Sequence, residues 1–239
     1  VAAAVIAVVL GARRRDPLPV AACVGALVCA LNEPIYDVLG KLVYAHVPSS
    51  YVAYSAFGRH IPWSLIVGYV PWVGLVPYLL SRQMAAGISR NRLYVIAAGL
   101  SASVGIIELL NAVWLHDWRY YAPLSGRGVI AGGLIQMASM PIICAFLYYA
   151  FLERARGVWR AVLGVVIPTT ALPIAFAATS WPLYVSNYAN VSQGVHWVAA
   201  IASTALCVLA VVAVAYLAER WHERTVPAPE KADEFPQLS

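Results

Sequence analysis

Three ionisable side chains lie inside an apolar stretch at residues 31–41, with the sequence LNEPIYDVLGK. On a helix, one face would hold residues at i, i+3, i+4, i+8 and i+11, which are Glu33, Tyr36, Asp37, Lys41 and Tyr44. A carboxylate near the middle of a bilayer costs about 2.5–3.5 kcal/mol, so this face must contact other helices or water rather than lipid. Carboxyl groups held in this way are suited to donating or accepting a proton.

A further acid, Glu108, lies in a later apolar stretch. An apolar environment favours the neutral form of a carboxyl group, whereas a nearby cation such as Lys41 favours the charged form. Acids in unlike environments can act as acid and base at the same pH. We predict Glu33 as proton donor, Asp37 as the group that orients it or stabilises charge, and Glu108 as second acid. The structural alternative is an interhelical hydrogen-bond network, worth about 0.6 kcal/mol per contact.

Several aromatic and polar side chains are candidates for substrate contact. Tyr69 and Trp72 lie too deep for an interfacial aromatic belt, so they either line a cavity or pack helices together. His196 begins the last apolar run, where a histidine is also an ordinary interfacial side chain. The predicted substrate-binding set is Tyr36, Lys41, Tyr69, Trp72, Asn111, Trp114 and His196.

The composition predicts a membrane protein. Of the 239 residues, 62% are hydrophobic and 11% are charged, whereas soluble domains carry about 25% charged residues. Seven apolar runs fill most of the chain, at 1–11, 18–44, 61–80, 93–115, 128–151, 158–179 and 195–217. All but the first are long enough to span a bilayer. We therefore predict an all-α, polytopic seven-transmembrane-helix bundle over 1–224, with an incomplete first helix, and a disordered cytoplasmic tail over 225–239.

Charge in the loops predicts the orientation. Of the 16 lysines and arginines, 12 lie in alternate loops and the C-terminal tail and four in the opposite loops. The positive-inside rule then puts the N-terminus outside and the C-terminus in the cytoplasm, with Glu33 and Glu108 in the outer half. The uncharged connection 180–194 is expected to lie across that side as a lid. The excess of arginine over lysine favours a GC-rich bacterial source, hence a multi-pass protein of the bacterial plasma membrane.

The sequence also argues against several classes. The basic residues are dispersed among short loops, which disfavours nucleic-acid binding. No HxxxH or HExxH motif is present, and the four cysteines lie singly in apolar runs, so no metal site is predicted. The last apolar run has no lysine for a retinal Schiff base. A Gly-rich phosphate loop is also missing, and we predict no cofactor.

One short motif and the overall architecture resemble the small integral-membrane terpene cyclases of meroterpenoid pathways. Asn32-Glu33 is similar to that family's early Asn and Glu pair, although the family has a Trp before the Glu where this chain has Asn32. The resemblance implies membrane carboxylates that protonate an epoxide or alkene of a prenylated substrate. The family's second acid lies late in the chain, so here Glu108 or Asp37 would serve instead.

We therefore expect an enzyme that acts by acid catalysis on an apolar isoprenoid or lipid, with the lipid bilayer and that apolar small molecule as its partners. A proton-coupled transporter, with Glu33 and Glu108 as proton carriers, is the main alternative. A seven-helix sensor or accessory subunit is the third. The sequence leaves open whether the chain forms a homo-oligomer.

Overall fold

A computed structural model describes residues 2–44, 47–124, 128–152 and 154–225, with side chains for all of these except 128–138 and 152. About 80% of the described residues are helical. Seven long helical segments among them follow the predicted apolar runs in order. They are α1 (Ala2–Arg14), α2 (Leu18–Gly40), α3 (Trp63–Ala85), α4 (Arg90–Leu115), α5 (Gly128–Leu152), α6 (Val158–Tyr188) and α7 (Gln193–Thr225).

Five of these helices, α2, α3, α4, α6 and α7, are long and apolar enough to cross a membrane. The α1 helix has 13 residues, and the apolar part of α5 with described side chains is Ser139–Phe151. Large apolar side chains cover the outside of the bundle, among them Val95, Ile106 and Leu115. A surface of this kind is suited to lipid rather than water. Of the tail predicted over 225–239, Thr225 ends α7, and residues 226–239 lie outside the described residues.

The helices pack around two central elements. The α2 helix contacts α6 and the middle of α3, while α5 contacts α3, α4, α6 and α7. Small residues allow the close approach of α2 and α6: a Cβ added to Gly164 would lie 2.7 Å from the Cβ of Ala21. Close backbone contact through small residues is the usual way in which membrane helices associate.

Three helices depart from regular α geometry near the predicted acids. A 3₁₀ turn at Ala30–Asn32 interrupts α2 immediately before Glu33 and Pro34, where the sequence predicts a kink. Both α3 and α4 contain π-helical segments, at Val70–Leu75 and Leu109–Leu115. Pro71 lies within the first, and such segments are frequent at functional sites.

The prediction of a purely α-helical chain omits four short strands. They are β1 (Leu42–Tyr44), β2 (Val52–Ala56), β3 (Arg59–Pro62) and β4 (Trp118–Tyr120). Strand β1 pairs with β4, and β2 pairs with β3, both antiparallel. All four lie in the connections after α2 and α4. The left-handed residues Lys41 (φ 53°) and His116 (φ 57°) end these two helices and turn the chain into β1 and β4.

Two predicted boundaries differ from those in the structure. The run 18–44 is not one helix, because α2 ends at Gly40 and residues 42–44 form β1. The expected lid at 180–194 is also wrong, since residues to Tyr188 continue α6 and Gln193 begins α7. The Asn187 side chain donates a hydrogen bond to the Leu39 carbonyl at 3.1 Å, so this part of α6 holds the end of α2. Burial of Ser180, Ser186 and Asn187 favours helix over an exposed loop.

Candidate functional site

A cavity of about 450 Å³ lies between the C-terminal parts of α2, α4 and α6, the first half of α3 and the β1–β4 pair. This volume is within the range of small-molecule pockets. Glu33, Asp37 and Glu108 all line it. No lysine, arginine or histidine is among the described residues that line it. Its aromatic lining consists of Tyr36, Tyr44, Tyr69, Trp72, Trp118, Tyr120, Phe176 and Tyr184.

Glu33 is held by two tyrosine hydroxyl groups. Tyr44 donates to Oε1 at 3.0 Å, and Tyr69 donates to Oε2. Tyr69 stands directly before the π-helical segment of α3, and Tyr44 returns toward α2 because the chain reverses at Lys41. Both oxygens of Glu33 are therefore engaged by protein groups.

Glu108 has a matching pair of donors from β4. The Trp118 indole donates to Oε2 at 3.1 Å and the Tyr120 hydroxyl donates to the same atom at 2.9 Å. Side chains two residues apart on a strand point to the same side, which explains how both reach one oxygen. The left-handed turn at His116 brings β4 back over the end of α4.

Asp37 is different from the two glutamates. Its side chain is 3% exposed, yet its Oδ2 atom has no hydrogen-bond partner within the described part of the chain. The Trp72 Nε1 atom, which also belongs to the cavity lining, is likewise buried without a partner there. Unsatisfied buried polar groups are rare in folded proteins. The cavity thus contains a carboxyl oxygen and an indole N–H that a ligand can engage.

The tyrosines outside the spanning helices remain neutral donors. Burial raises the pKa of Tyr44 well above its usual value, and the neighbouring Glu33 carboxyl raises it further. Burial likewise raises the pKa of Tyr120, with Glu108 adding to the effect. Their hydroxyl protons are retained across the physiological range. The two tyrosines can therefore orient the carboxyls without losing a proton themselves.

The structure brings together six of the predicted site residues and places four elsewhere. Glu33, Tyr36, Asp37, Tyr69, Trp72 and Glu108 line the cavity. Lys41 lies beside it, with Nζ 4.7 Å from the centre of the Tyr188 ring.

The other three do not line the cavity. The Asn111 amide donates to the Ile107 carbonyl of its own helix at 2.7 Å. Trp114 is 73% exposed on the outside of α4. His196 is buried in α7 away from the cavity. The π-helical segment at Leu109–Leu115 alters the helical register on which a common face for Glu108, Asn111 and Trp114 would depend.

Sequence reasoning missed several lining residues. Four aromatic residues of the lining are not among the predicted site residues: Trp118, Tyr120, Phe176 and Tyr184. Phe176 stacks on Tyr36, with ring centroids 4.6 Å apart. The alternating aromatic residues of Trp118-Arg119-Tyr120 were a signal for a strand with one aromatic face.

The chain matches no protein-family model, no curated protein and no solved structure. The resemblance to membrane terpene cyclases therefore stays a prediction.

Proposed function

We propose that this chain is an integral-membrane enzyme that acts by acid catalysis on an apolar isoprenoid or similar lipid. One observation carries the proposal: three carboxyl groups meet at an aromatic cavity, and one of them has a buried oxygen that no described protein group engages. Intramembrane acids are costly to stability and usually mark functional sites. An aromatic lining suits an apolar substrate and stabilises positive charge that forms on it.

The geometry favours Asp37 rather than Glu33 as the proton donor. Both Glu33 oxygens are engaged by tyrosines, so neither is free to reach a substrate without breaking a hydrogen bond. Asp37 lies one helical turn away and has an unengaged oxygen. In this assignment Glu33, with its two tyrosines, stabilises charge, and Glu108 is the proton acceptor.

The proposed reaction is an isomerisation. Asp37 gives its proton to an alkene carbon, where the π electron pair forms the new C–H bond, or to an epoxide oxygen, where the C–O bond breaks toward oxygen. Either event leaves a carbocation, which the electron pair of a second alkene closes into a ring. Glu108 then removes a proton from an adjacent carbon, and that C–H pair becomes the product alkene. Glu108 releases this proton to solvent, and solvent returns a proton to Asp37, which restores both groups.

We further propose seven spans, an outer N-terminus and a cytoplasmic C-terminus in a bacterial plasma membrane. The order of the seven helical segments supports the span number. The distribution of basic residues supports the orientation. The cavity then opens in the outer half of the bilayer, where an apolar substrate can enter from lipid.

Lipid extracts of cells that make each variant test the proposal. The wild type should produce a lipid whose amount falls at least 100-fold with Asp37→Asn, because general acid catalysis supplies about 10²–10⁴-fold in rate. Asp117→Asn is the matched control, since Asp117 is exposed and outside the cavity. Equal lipid profiles for wild type and Asp37→Asn would contradict catalysis. Substrate uptake driven by a pH gradient in proteoliposomes, without a chemical product, would favour the transporter.

A further inference from the structure

Two cations, Lys41 and Arg59, lie beside one end of the cavity without lining it. Residues next in sequence to these cations, or to the residues that they contact, belong to the cavity lining. Gly40 and Leu42 flank Lys41, and Ala122 follows Tyr121, the residue that Arg59 contacts.

A pair of tyrosines joins these cations into one cluster. The Tyr121 main-chain N–H donates to the Lys41 carbonyl at 2.9 Å, and the Tyr121 hydroxyl accepts a hydrogen bond from Arg59. Lys41 lies over the ring of Tyr188, which also interacts electrostatically with Tyr121 and Arg59. Tyr188 in turn donates to the Val38 carbonyl, which fixes this end of α6 to α2.

Neither cation forms an ion pair with an acid of the described residues, although the charge of Arg59 acts on the nearby Asp37 carboxyl. Within the described part of the chain, the ion pairs are Arg90–Glu219, Asp16–Arg160 and Arg220–Glu223, and none includes Lys41 or Arg59. The Arg59 Nε atom is buried and has no hydrogen-bond partner among the described residues. Guanidinium groups bind phosphate through several N–H donors, so an unused buried donor points to an oxyanion.

We infer that Lys41 and Arg59 form an anion site at the mouth of the cavity, which takes the phosphate head group of an amphiphile whose apolar chain occupies the cavity. The cavity is acidic and aromatic, whereas its mouth is cationic. A molecule with an anionic head and an apolar chain matches this order of charges. The inference rests on the proposed function, in that it names the class of substrate that enters the same cavity.

Binding of farnesyl monophosphate and of farnesol to the purified full chain in an uncharged detergent tests the inference. The two ligands share one chain and differ in the phosphate. The wild type should bind the phosphate at least tenfold more tightly than the alcohol. Lys41→Gln and Arg59→Gln should each weaken phosphate binding at least fivefold and leave farnesol binding unchanged, while Arg59→Lys retains part of the preference.

Arg119→Gln is the matched control. Arg119 is an exposed cation on β4, between two lining residues, and should face away from the cavity because strand side chains alternate. It should leave both affinities unchanged. Equal affinity of the wild type for phosphate and alcohol would overturn the inference, as would an equal loss for both ligands in the Lys41 and Arg59 variants.

A competition separates a substrate head group from bilayer lipid. Phosphatidylglycerol and unlabelled farnesyl monophosphate are compared as competitors of labelled farnesyl monophosphate. If both displace the label equally well, the cations bind ordinary lipid head groups, and the substrate assignment is overturned. Failure of phosphatidylglycerol to displace the label supports the inference. Because these assays measure binding, phosphate selectivity can hold while Asp37→Asn leaves lipid profiles unchanged, in which case only the proposed function fails.

Discussion

At the scale of single residues, the cavity distinguishes its three carboxyls by their partners. Glu33 and Glu108 each accept two hydrogen bonds from aromatic donors, whereas Asp37 Oδ2 accepts none from the described residues. A hydrogen bond to a charged group contributes about 1.5–3 kcal/mol. The tyrosines and the tryptophan therefore fix the glutamates in position, and Asp37 is left to act on a ligand.

Removal of one of these donors should lower activity. Tyr69→Phe keeps the ring in the cavity but takes the hydroxyl from Glu33, so we expect conversion of the substrate to fall by about tenfold or more, following the hydrogen-bond energy. Tyr78→Phe is the control, since the buried Tyr78 hydroxyl has no partner among the described residues. The rate of substrate conversion per mole of purified protein is measured for both variants. A Tyr69→Phe protein as active as the Tyr78→Phe protein would contradict the proposed role of Glu33.

Residue spacing predicted part of this site. Glu33, Tyr36 and Asp37 meet at the cavity because they share a face of α2, as the i, i+3, i+4 pattern indicates. Tyr44 was placed on the same helical face, and it reaches Glu33 by a different route, through a chain reversal and β1. The partners of Glu108 could not be predicted, because they depend on the left-handed turn at His116 and on strand pairing between distant segments.

At the scale of the elements, the contact between α2 and α6 positions two walls of the cavity. A Cβ added to Gly25 would lie 2.6 Å from the Val165 carbonyl oxygen and 2.8 Å from the Val165 Cα. Backbone atoms cannot yield as a flexible side chain does, so the two helices must separate to admit a methyl group. The close approach of α2 and α6 therefore depends on the absence of a side chain at Gly25.

Gly25→Ala should therefore destabilise the bundle by about 1–3 kcal/mol, the usual cost of overpacking. Gly99→Ala is the matched control in α4, because nothing lies within 4 Å of its added Cβ, and it should be neutral or stabilise by up to about 1 kcal/mol. Thermal unfolding midpoints in detergent compare the two. Equal midpoints would show that α2 and α6 do not pack as described.

An ion pair links the same two helices at the end opposite to the cavity. Arg160 donates from Nε and Nη2 to the two carboxylate oxygens of Asp16, at 2.8 and 2.9 Å. Burial by itself would raise the pKa of Asp16, but the hydrogen bonds from Arg160 and Leu18 and the charge of Arg160 outweigh it and lower the pKa below the ordinary 3.8. The pair therefore stabilises the fold in the charged form of Asp16.

Stability should accordingly depend on pH in the acid range. The pKa of Asp16 is lower in the folded state than in the unfolded state. Its contribution to the stability of the fold is therefore complete above the unfolded-state pKa and is lost as pH falls through the folded-state pKa. We expect the thermal midpoint to drop below about pH 4, and Asp16→Asn to lower the midpoint at pH 7 and weaken the acid dependence. Glu223→Gln, in an exposed pair with Arg220, is the control. An Asp16→Asn protein with the wild-type pH profile would contradict this.

Element boundaries were predicted only where hydrophobicity defines them. The apolar runs correspond to the helical segments, because burial in lipid or protein selects for long apolar helices. The segment 180–188 is uncharged but less apolar, and the sequence therefore indicated a loop. Tertiary contacts favour a helix there instead. Ser180 and Asn187 are buried, and the Asn187 side chain donates a hydrogen bond to the Leu39 carbonyl at the end of α2.

At the scale of the whole molecule, the protein combines an apolar exterior with a polar, aromatic interior at one end. Five helices meet the requirements for crossing a membrane, and exposed valine, leucine and isoleucine cover them. The three carboxyls line the cavity together with aromatic side chains. The proposed proton chemistry, on a molecule that enters from the bilayer, would make use of both features.

Conversion of a lipid by the purified protein tests that account most directly. Wild type, Asp37→Asn and Asp117→Asn would be reconstituted in liposomes with a lipid extract from cells that lack the protein, and the products separated by chromatography and mass spectrometry. Wild type and Asp117→Asn should turn one lipid into an isomer of equal mass and different retention, and Asp37→Asn should not. A product of altered mass would contradict the proposed isomerisation, and the same isomer from Asp37→Asn would contradict acid catalysis by Asp37.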